Sequence, residues 1–429
     1  VTKTRLGVWA GTAMVLGGVL GPGMLVLPHL AATAAGPGAI VAWAGLVVVS
    51  VPVAITFARL GARLPGGGGV AHYAGAAFGR WAYALVGWWF FAAVPIGTLA
   101  GALAGGLYAA TAFGWPGPAT TVIAALVLTA AFAANAAGLR IGAKVQVGLL
   151  ALLLVVLIGA IVASTPAVQA AYFEPFLPRG LGGVGRAVGV LMFAFVGWEA
   201  ASHLSAEFSG KRLLTATSLT LAVMAVVYLG VAVTAAGSGA AASPVPLTTM
   251  LSTGIGRTAA PVTGVAALVL TFGAVNTYLA GASRLGAALA EQRLLPHRLA
   301  RPGRSLLVMA AAITVAGVVT AGRPLDLDPL LRATSACLAT VMALGTAAAV
   351  RLLRGPGRAT AIAATALTSL TLALCGAYLV VPAAIAIFGG AVRAGFQKRL
   401  HSRPGTTSHG TSAGSARNTG RLTTKSPAR

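Results

Sequence analysis

The sequence predicts an all-α polytopic membrane protein with about twelve transmembrane helices, in which two sets of five form inverted repeats and helices 1 and 6 are interrupted. Three observations lead there. The chain is 57% hydrophobic and 8% charged over 429 residues, and its apolar stretches approach the ~20 residues that cross a bilayer as helix. Gly21-Pro22-Gly23 stands in the middle of the first stretch and is poor in helix formers. The sixth stretch carries Gly197 and then Glu199, one of only six acidic residues.

Gly and Pro clusters and arginine-bearing loops place the first five spans at about 7–35, 38–60, 84–111, 119–137 and 144–163. Lys3 and Arg5 ahead of an apolar run imitate a signal peptide, but the spans that follow make it a retained helix. A second five follow at about 186–208, 213–236, 261–290, 305–321 and 329–350. Two short spans, about 359–375 and 377–391, meet near Gly376. The membrane domain is expected over 1–396. Residues 397–429, rich in Ser, Thr, Gly and Arg, are expected as a disordered basic cytoplasmic tail.

A net charge of +24 suggests a polyanionic partner until its distribution is read. With the N-terminus inside, all but five of the 30 basic residues fall on the cytoplasmic side, the exceptions being Arg179, Arg186, Arg257, Arg323 and Arg332. The positive-inside rule accounts for this bias without nucleic acid, and leaves anionic lipid as a partner for the tail. Cys337 and Cys375 both fall inside spans, so neither a disulfide framework nor a metal site is indicated. No His-Glu-x-x-His is present, and Gly66 to Gly69 lacks the Gly-Lys-Ser/Thr of a phosphate loop. An enzyme is therefore not expected, and no cofactor is called for.

Unpaired amides and carbonyls at bilayer depth persist only where they line a cavity or are buried in protein. The tripeptide alone leaves a substrate site and a simple kink evenly matched, because Gly and Pro are common in membrane helices. Its counterpart around Gly197, at the corresponding position of the second five, favours a site at the midplane. An anionic group there would meet the amides of Gly23 and Met24 after Gly21, and a positive helix end. Carbonyls freed near Val19 and Leu20, and near Phe193, Ala194 and Val196, would receive a cationic one. Glu199 is costly as an ionised group at that depth. It either binds and releases a proton during the cycle or remains protonated against a neighbouring helix. Glu207, near Lys211 and Arg212, is a solvated ion pair or a cytoplasmic gate. Arg284 either snorkels to the interface or gates.

Several segments together resemble the amino acid-polyamine-organocation superfamily, and most of all its bacterial exporters of methionine and branched-chain amino acids. Gly21-Pro22-Gly23 with Pro28 resembles the break in the first helix. Pro65-Gly66 through Gly69, Val70-Ala71-His72-Tyr73, Phe78-Gly79 and Gly87-Trp88 resemble the entry to the third helix. Asn135-x-x-Gly138 and Lys144-Val145-Gln146 resemble the fourth-to-fifth connection, Phe193 to Glu199 the broken sixth helix, and Glu207-Phe208 its acidic end. Ser283-Arg284 and Leu294-Leu295-Pro296 resemble the exit of the eighth. The likeness covers roughly residues 6–395, one membrane domain.

The resemblance implies a LeuT-like 5+5 core in a bacterial cytoplasmic (inner) membrane, with both termini cytoplasmic. It implies proton-coupled export of methionine, leucine, isoleucine or valine, with import, exchange or non-transporting sensing on the same fold as the alternatives. By family position Val94, Ile96, Thr98, Phe195, Trp198, Asn276 and Tyr278 would line the side-chain pocket. None of these is acidic, which disfavours arginine or a polyamine as substrate. Two departures stand out. Pro22 takes the place of a small hydroxyl residue, and residues 145–163 lack the lysine by which some relatives couple transport.

Overall fold

A computed structural model describes residues 7–64, 69–139, 142–195, 197–198, 210–320 and 326–401. Helix dominates throughout. The first half contains α1 (Val8–Val19), α2 (Leu27–Ala35), α3 (Ala39–Arg63), α4 (Gly69–Phe78), α5 (Arg80–Ala112), α6 (Pro118–Ala136) and α7 (Ala143–Ser164). The second contains α8 (Gly180–Leu191), α9 (Gly210–Gly237), α10 (Pro246–Ile255), α11 (Ala259–Glu291), α12 (Pro302–Thr320) and α13 (Asp328–Leu352), followed by α14 (Pro356–Ala373) and α15 (Val380–His401). Seven helical segments among the described residues are long and apolar enough to cross a membrane. The pair α14 and α15, bent by 107° at a break, raises that number to 8.

Sequence punctuation explains the boundaries. Gly117-Pro118 and Gly355-Pro356 open α6 and α14, with proline in the first turn where its missing N–H costs nothing. Gly79, at φ +86°, turns the chain between α4 and α5, a conformation that side chains rarely adopt. Gly376, at φ +57°, does the same between α14 and α15.

Helix lengths recur in order across the two halves. α4 and α10 each have 10 residues, α5 and α11 each 33, and α6 and α12 each 19. The two longest helices pack most extensively on one another. Small residues permit that approach: Gly105 lies under Thr271, Gly264 against Ala112 and Gly286 against Phe91. At 33 residues each is roughly 50 Å long and exceeds the ~30 Å hydrocarbon layer, so both must tilt or protrude.

Three boundaries differ from the sequence expectation. α4 and α10 are helices where the sequence spans imply connections, each at 10 residues too short to carry a spanning signal. α8 begins at Gly180, six residues before the expected start at 186, because Gly183 packs directly on the Ala34 carbonyl and Ala35, and this contact holds a glycine-rich turn as helix. α15 continues to His401, beyond the expected domain end at 396, through residues such as Arg399 and Leu400 that favour helix. Val196, Glu199, Glu207 and the rest of the tail lie outside the described residues.

Candidate functional site

The first break is built by its own sequence. α1 closes when Leu20 N–H donates to the Leu16 carbonyl at 2.7 Å, and Gly21 then runs extended at φ −121°, ψ 172°. Pro22–Leu25 makes one 3-10 turn before α2 begins. Within it Met24 N–H donates to Gly21 O at 3.2 Å, and Val26 N–H to Gly23 O at 3.0 Å. Met24 is thus already engaged and is not the open donor expected of it. The N–H groups of Gly21 and Gly23 have no acceptor among the described residues. They are the two donors the break leaves over.

The second break lies against the first. α8 gives way to a 3-10 turn at Met192–Phe195, and Gly197 follows at φ +120°. A Cβ on Gly197 would collide with the Gly18 carbonyl oxygen, and one on Gly23 would stand 2.6 Å from Phe193 Cδ1. Each break therefore uses a glycine to admit the other. The Tyr228 hydroxyl from α9 lies 2.9 Å from Ala194 O and 3.3 Å from Val19 O, one carbonyl from each break. With a single proton it donates to one at a time, so these carbonyls are partly satisfied by protein as well as open to a ligand.

Between the breaks and α5 lies a cavity of about 130 Å³. Val19, Gly21, Gly23, Met24, Phe193, Ala194 and Tyr278 line it, and so do Val94 and Thr98. Sites for drug-sized ligands occupy ~300–1,000 Å³, so this space suits a small molecule. Thr98, Tyr278 and Thr334 supply hydroxyls, while no acidic or basic side chain lines it among the described residues. Leu20 instead faces an adjoining space of about 160 Å³ between α1, α7 and α11 that also contains Gln146 and Thr277.

Four expected pocket residues are placed elsewhere. Ile96 turns to a separate apolar crevice with Phe91, Ala92 and Pro95. The cause is helical phase: 90, 93, 94, 97 and 98 fall on one face of α5, and 96 does not. Phe195 packs against Trp43 and Tyr228, with ring centroids 5.8 and 5.1 Å away. Trp198 is fully buried and donates from Nε1 to Ser50 Oγ at 3.2 Å. Asn276 Oδ1 accepts from Asn135 Nδ2 at 2.6 Å, which makes it a tie between α11 and α6. Arg284 is exposed, its Nε donating to the Ala280 carbonyl within its own helix at 3.1 Å. Phe90, Ala93, Gly97, Thr334 and Leu338 line the cavity without having been singled out. The α5 members could have been read from the periodicity through Val94 and Thr98, whereas Thr334 and Leu338 depend on where α13 docks.

Tyr228→Phe keeps the aromatic packing and removes a hydroxyl that reaches one carbonyl of each break. About 1 kcal/mol of stability is expected to go with the hydroxyl, and roughly a fivefold loss of activity, since the carbonyls would splay. Thermal unfolding and substrate flux measured on the same preparation check both.

Comparison with known proteins places these features in context. A sequence model for the amino acid permease family matches residues 6–399. An uncharacterized amino acid permease of Bacillus subtilis, YecA, is 32% identical over 88% of this chain and 93% of its own. The L-methionine/branched-chain amino acid exporter YjeH of Escherichia coli is 29% identical over 87% of this chain and 92% of its own. Among solved structures, a mutant manganese transporter of Eremococcus coleocola superposes with a TM-score of 0.57 at 15% identity, covering 90% of this chain and 94% of that one. At that identity the likeness speaks for the fold.

Proposed function

From its membership of the amino acid permease family, to which this chain belongs, we propose that it carries small neutral amino acids across the membrane by alternating access. It is a multi-pass membrane protein, and its relatives and structural neighbours are transporters rather than enzymes. The observation that carries the substrate reading is the cavity between the breaks. It joins two unpartnered amides, from Gly21 and Gly23, to an apolar lining free of charged side chains among the described residues. A carboxylate is held by the amides, an ammonium by the break carbonyls, and an aliphatic or thioether side chain by Phe90, Val94 and Phe193. A guanidinium or a second carboxylate would be buried there without a counter-charge.

Methionine, leucine, isoleucine and valine are the proposed substrates, and export is the proposed direction, by analogy with the exporter that is 29% identical. The recurring helix lengths support two inverted five-helix repeats, with α14 and α15 completing twelve spans. The charge asymmetry supports cytoplasmic termini in a bacterial inner membrane. Glu199, two residues past Gly197, is the proposed proton carrier.

Proteoliposome flux tests this reading. Labelled leucine and methionine should show saturable flux, and arginine should not. A pH gradient should accelerate flux in the parent and leave Glu199→Gln unaffected. Saturable flux with the same gradient response in both proteins would remove Glu199 from coupling. Silence across a full amino-acid panel from folded protein would reject transport of this class.

A further inference from the structure

On the reading above, a zwitterion leaves a site without charged side chains and must be handed to water. A second cavity of about 470 Å³ lies at the end of the bundle that the charge asymmetry assigns to the outside. Both aspartates of the chain, Asp326 and Asp328, line it together with Arg179, Arg186, Arg332 and His29. In a protein that is only 8% charged, that concentration demands a cause.

Some of these groups hold one another. Arg332 Nε donates to Asp328 Oδ2 at 2.5 Å, and Arg332 Nη1 to the Arg186 carbonyl at 2.7 Å. His29 Nδ1 lies 3.0 Å from the Ala241 carbonyl. The others remain open. Among the described residues Asp326 accepts only the Asp328 N–H, through Oδ1 at 3.0 Å. Arg179 and Arg186 are exposed to the cavity, and their guanidinium groups form no ion pair among the described residues. Two guanidinium forks and one carboxylate oxygen thus face one open space.

The space is also in line with the central site. Val26 lines both the vestibule and a neck of about 10 Å³, which shares Gly23, Gly97, Thr98, Phe193 and Tyr278 with the central cavity.

We propose that the vestibule is a second amino-acid site. It holds the zwitterion by its carboxylate on Arg179 and Arg186 and by its ammonium on Asp326, without regard to the side chain. This rests on the transport reading for the identity of the ligand. Because the groups are exposed, the site is weak and is screened by salt. Guanidinium forks suit a carboxylate, and the aspartate selects against a simple anion.

Equilibrium binding of labelled leucine to the purified full chain in detergent tests it. The parent should bind in two components, the weaker one fading as salt is raised. Arg186→Gln with Asp326→Asn should weaken that component about tenfold or more and keep the tighter one. Gly97→Val, which narrows the central cavity, should do the reverse. Isovalerate and isopentylamine, with one charge each, should compete poorly for the weak component. A weak component that survives the double substitution overturns the vestibule site, as does isovalerate competing as well as leucine. If Gly97→Val leaves both components intact, the central site fails while the vestibule stands. A parent that binds no leucine overturns both.

Discussion

Gly23→Leu is expected to abolish transport while leaving a folded, membrane-inserted protein. The glycine sits where the first break meets the second, and even a Cβ would come within 2.6 Å of Phe193 Cδ1 and 2.7 Å of Cε1. Leu27 Cδ1, at 3.3 Å, closes the other side. The phenyl ring can yield only into the cavity it lines, so the added bulk and the displaced ring both take the ligand's space. One of the two open amides would be covered as well. Overpacking of ~3 kcal/mol against the bound state corresponds to a loss of roughly 100-fold in affinity or flux. Gly23→Ala should fall between, because a ring edge can shift by tenths of an ångström. Leucine binding and flux, read beside the elution profile of the purified protein, separate a blocked site from a misfolded chain. Flux within about twofold of the parent in Gly23→Leu would mean that the cavity is not the path.

Gly197→Ala is expected to damage assembly itself. Here two costs combine, since φ of +120° is strained for any side chain and the new Cβ would meet the Gly18 carbonyl and Val19 Cα. Neither neighbour is a flexible side chain, and Trp198 beside it is fixed by full burial and by Ser50. The loss is put at roughly 4 kcal/mol, a large share of a protein's net stability. The expected result is poor yield and a lowered thermal midpoint, with Tyr228→Phe much milder. A Gly197→Ala protein that matched the parent in both would show that the breaks need not approach so closely.

Much of this site is legible in sequence because glycine and proline act locally. Gly21-Pro22-Gly23 cannot continue a helix whatever surrounds it, and Gly197 two residues before a lone carboxylate invites the same suspicion. The pairing of the two breaks follows from their matching positions. What they do to individual side chains does not. Phe195 turns toward Trp43 from the end of a 3-10 turn and Trp198 toward Ser50 just past the positive φ of Gly197, and no periodicity in the sequence reports either feature. Ile96 is a different case: a position taken by resemblance conflicted with the i, i+3, i+4 face through Val94 and Thr98, and the helical phase was the better guide. Asn276, too, is assigned to the ligand by family position. Its partner is Asn135, itself visible in the sequence, but only the docking of α6 on α11 brings the two together. The vestibule was hidden for the same reason, since its arginines and aspartates come from segments more than a hundred residues apart.

The central claim is that a neutral amino acid sits between the two breaks against α5. Cysteine protection at Val94 tests it most directly, because Val94 lines the cavity while both native cysteines are buried and neither lines it. In Val94→Cys, a small water-soluble thiol reagent should label the cavity, and leucine or methionine should slow that labelling in a saturable way while arginine leaves it unchanged. Equal labelling rates with and without leucine, in protein that still shows saturable leucine flux, would place the substrate elsewhere and contradict the account.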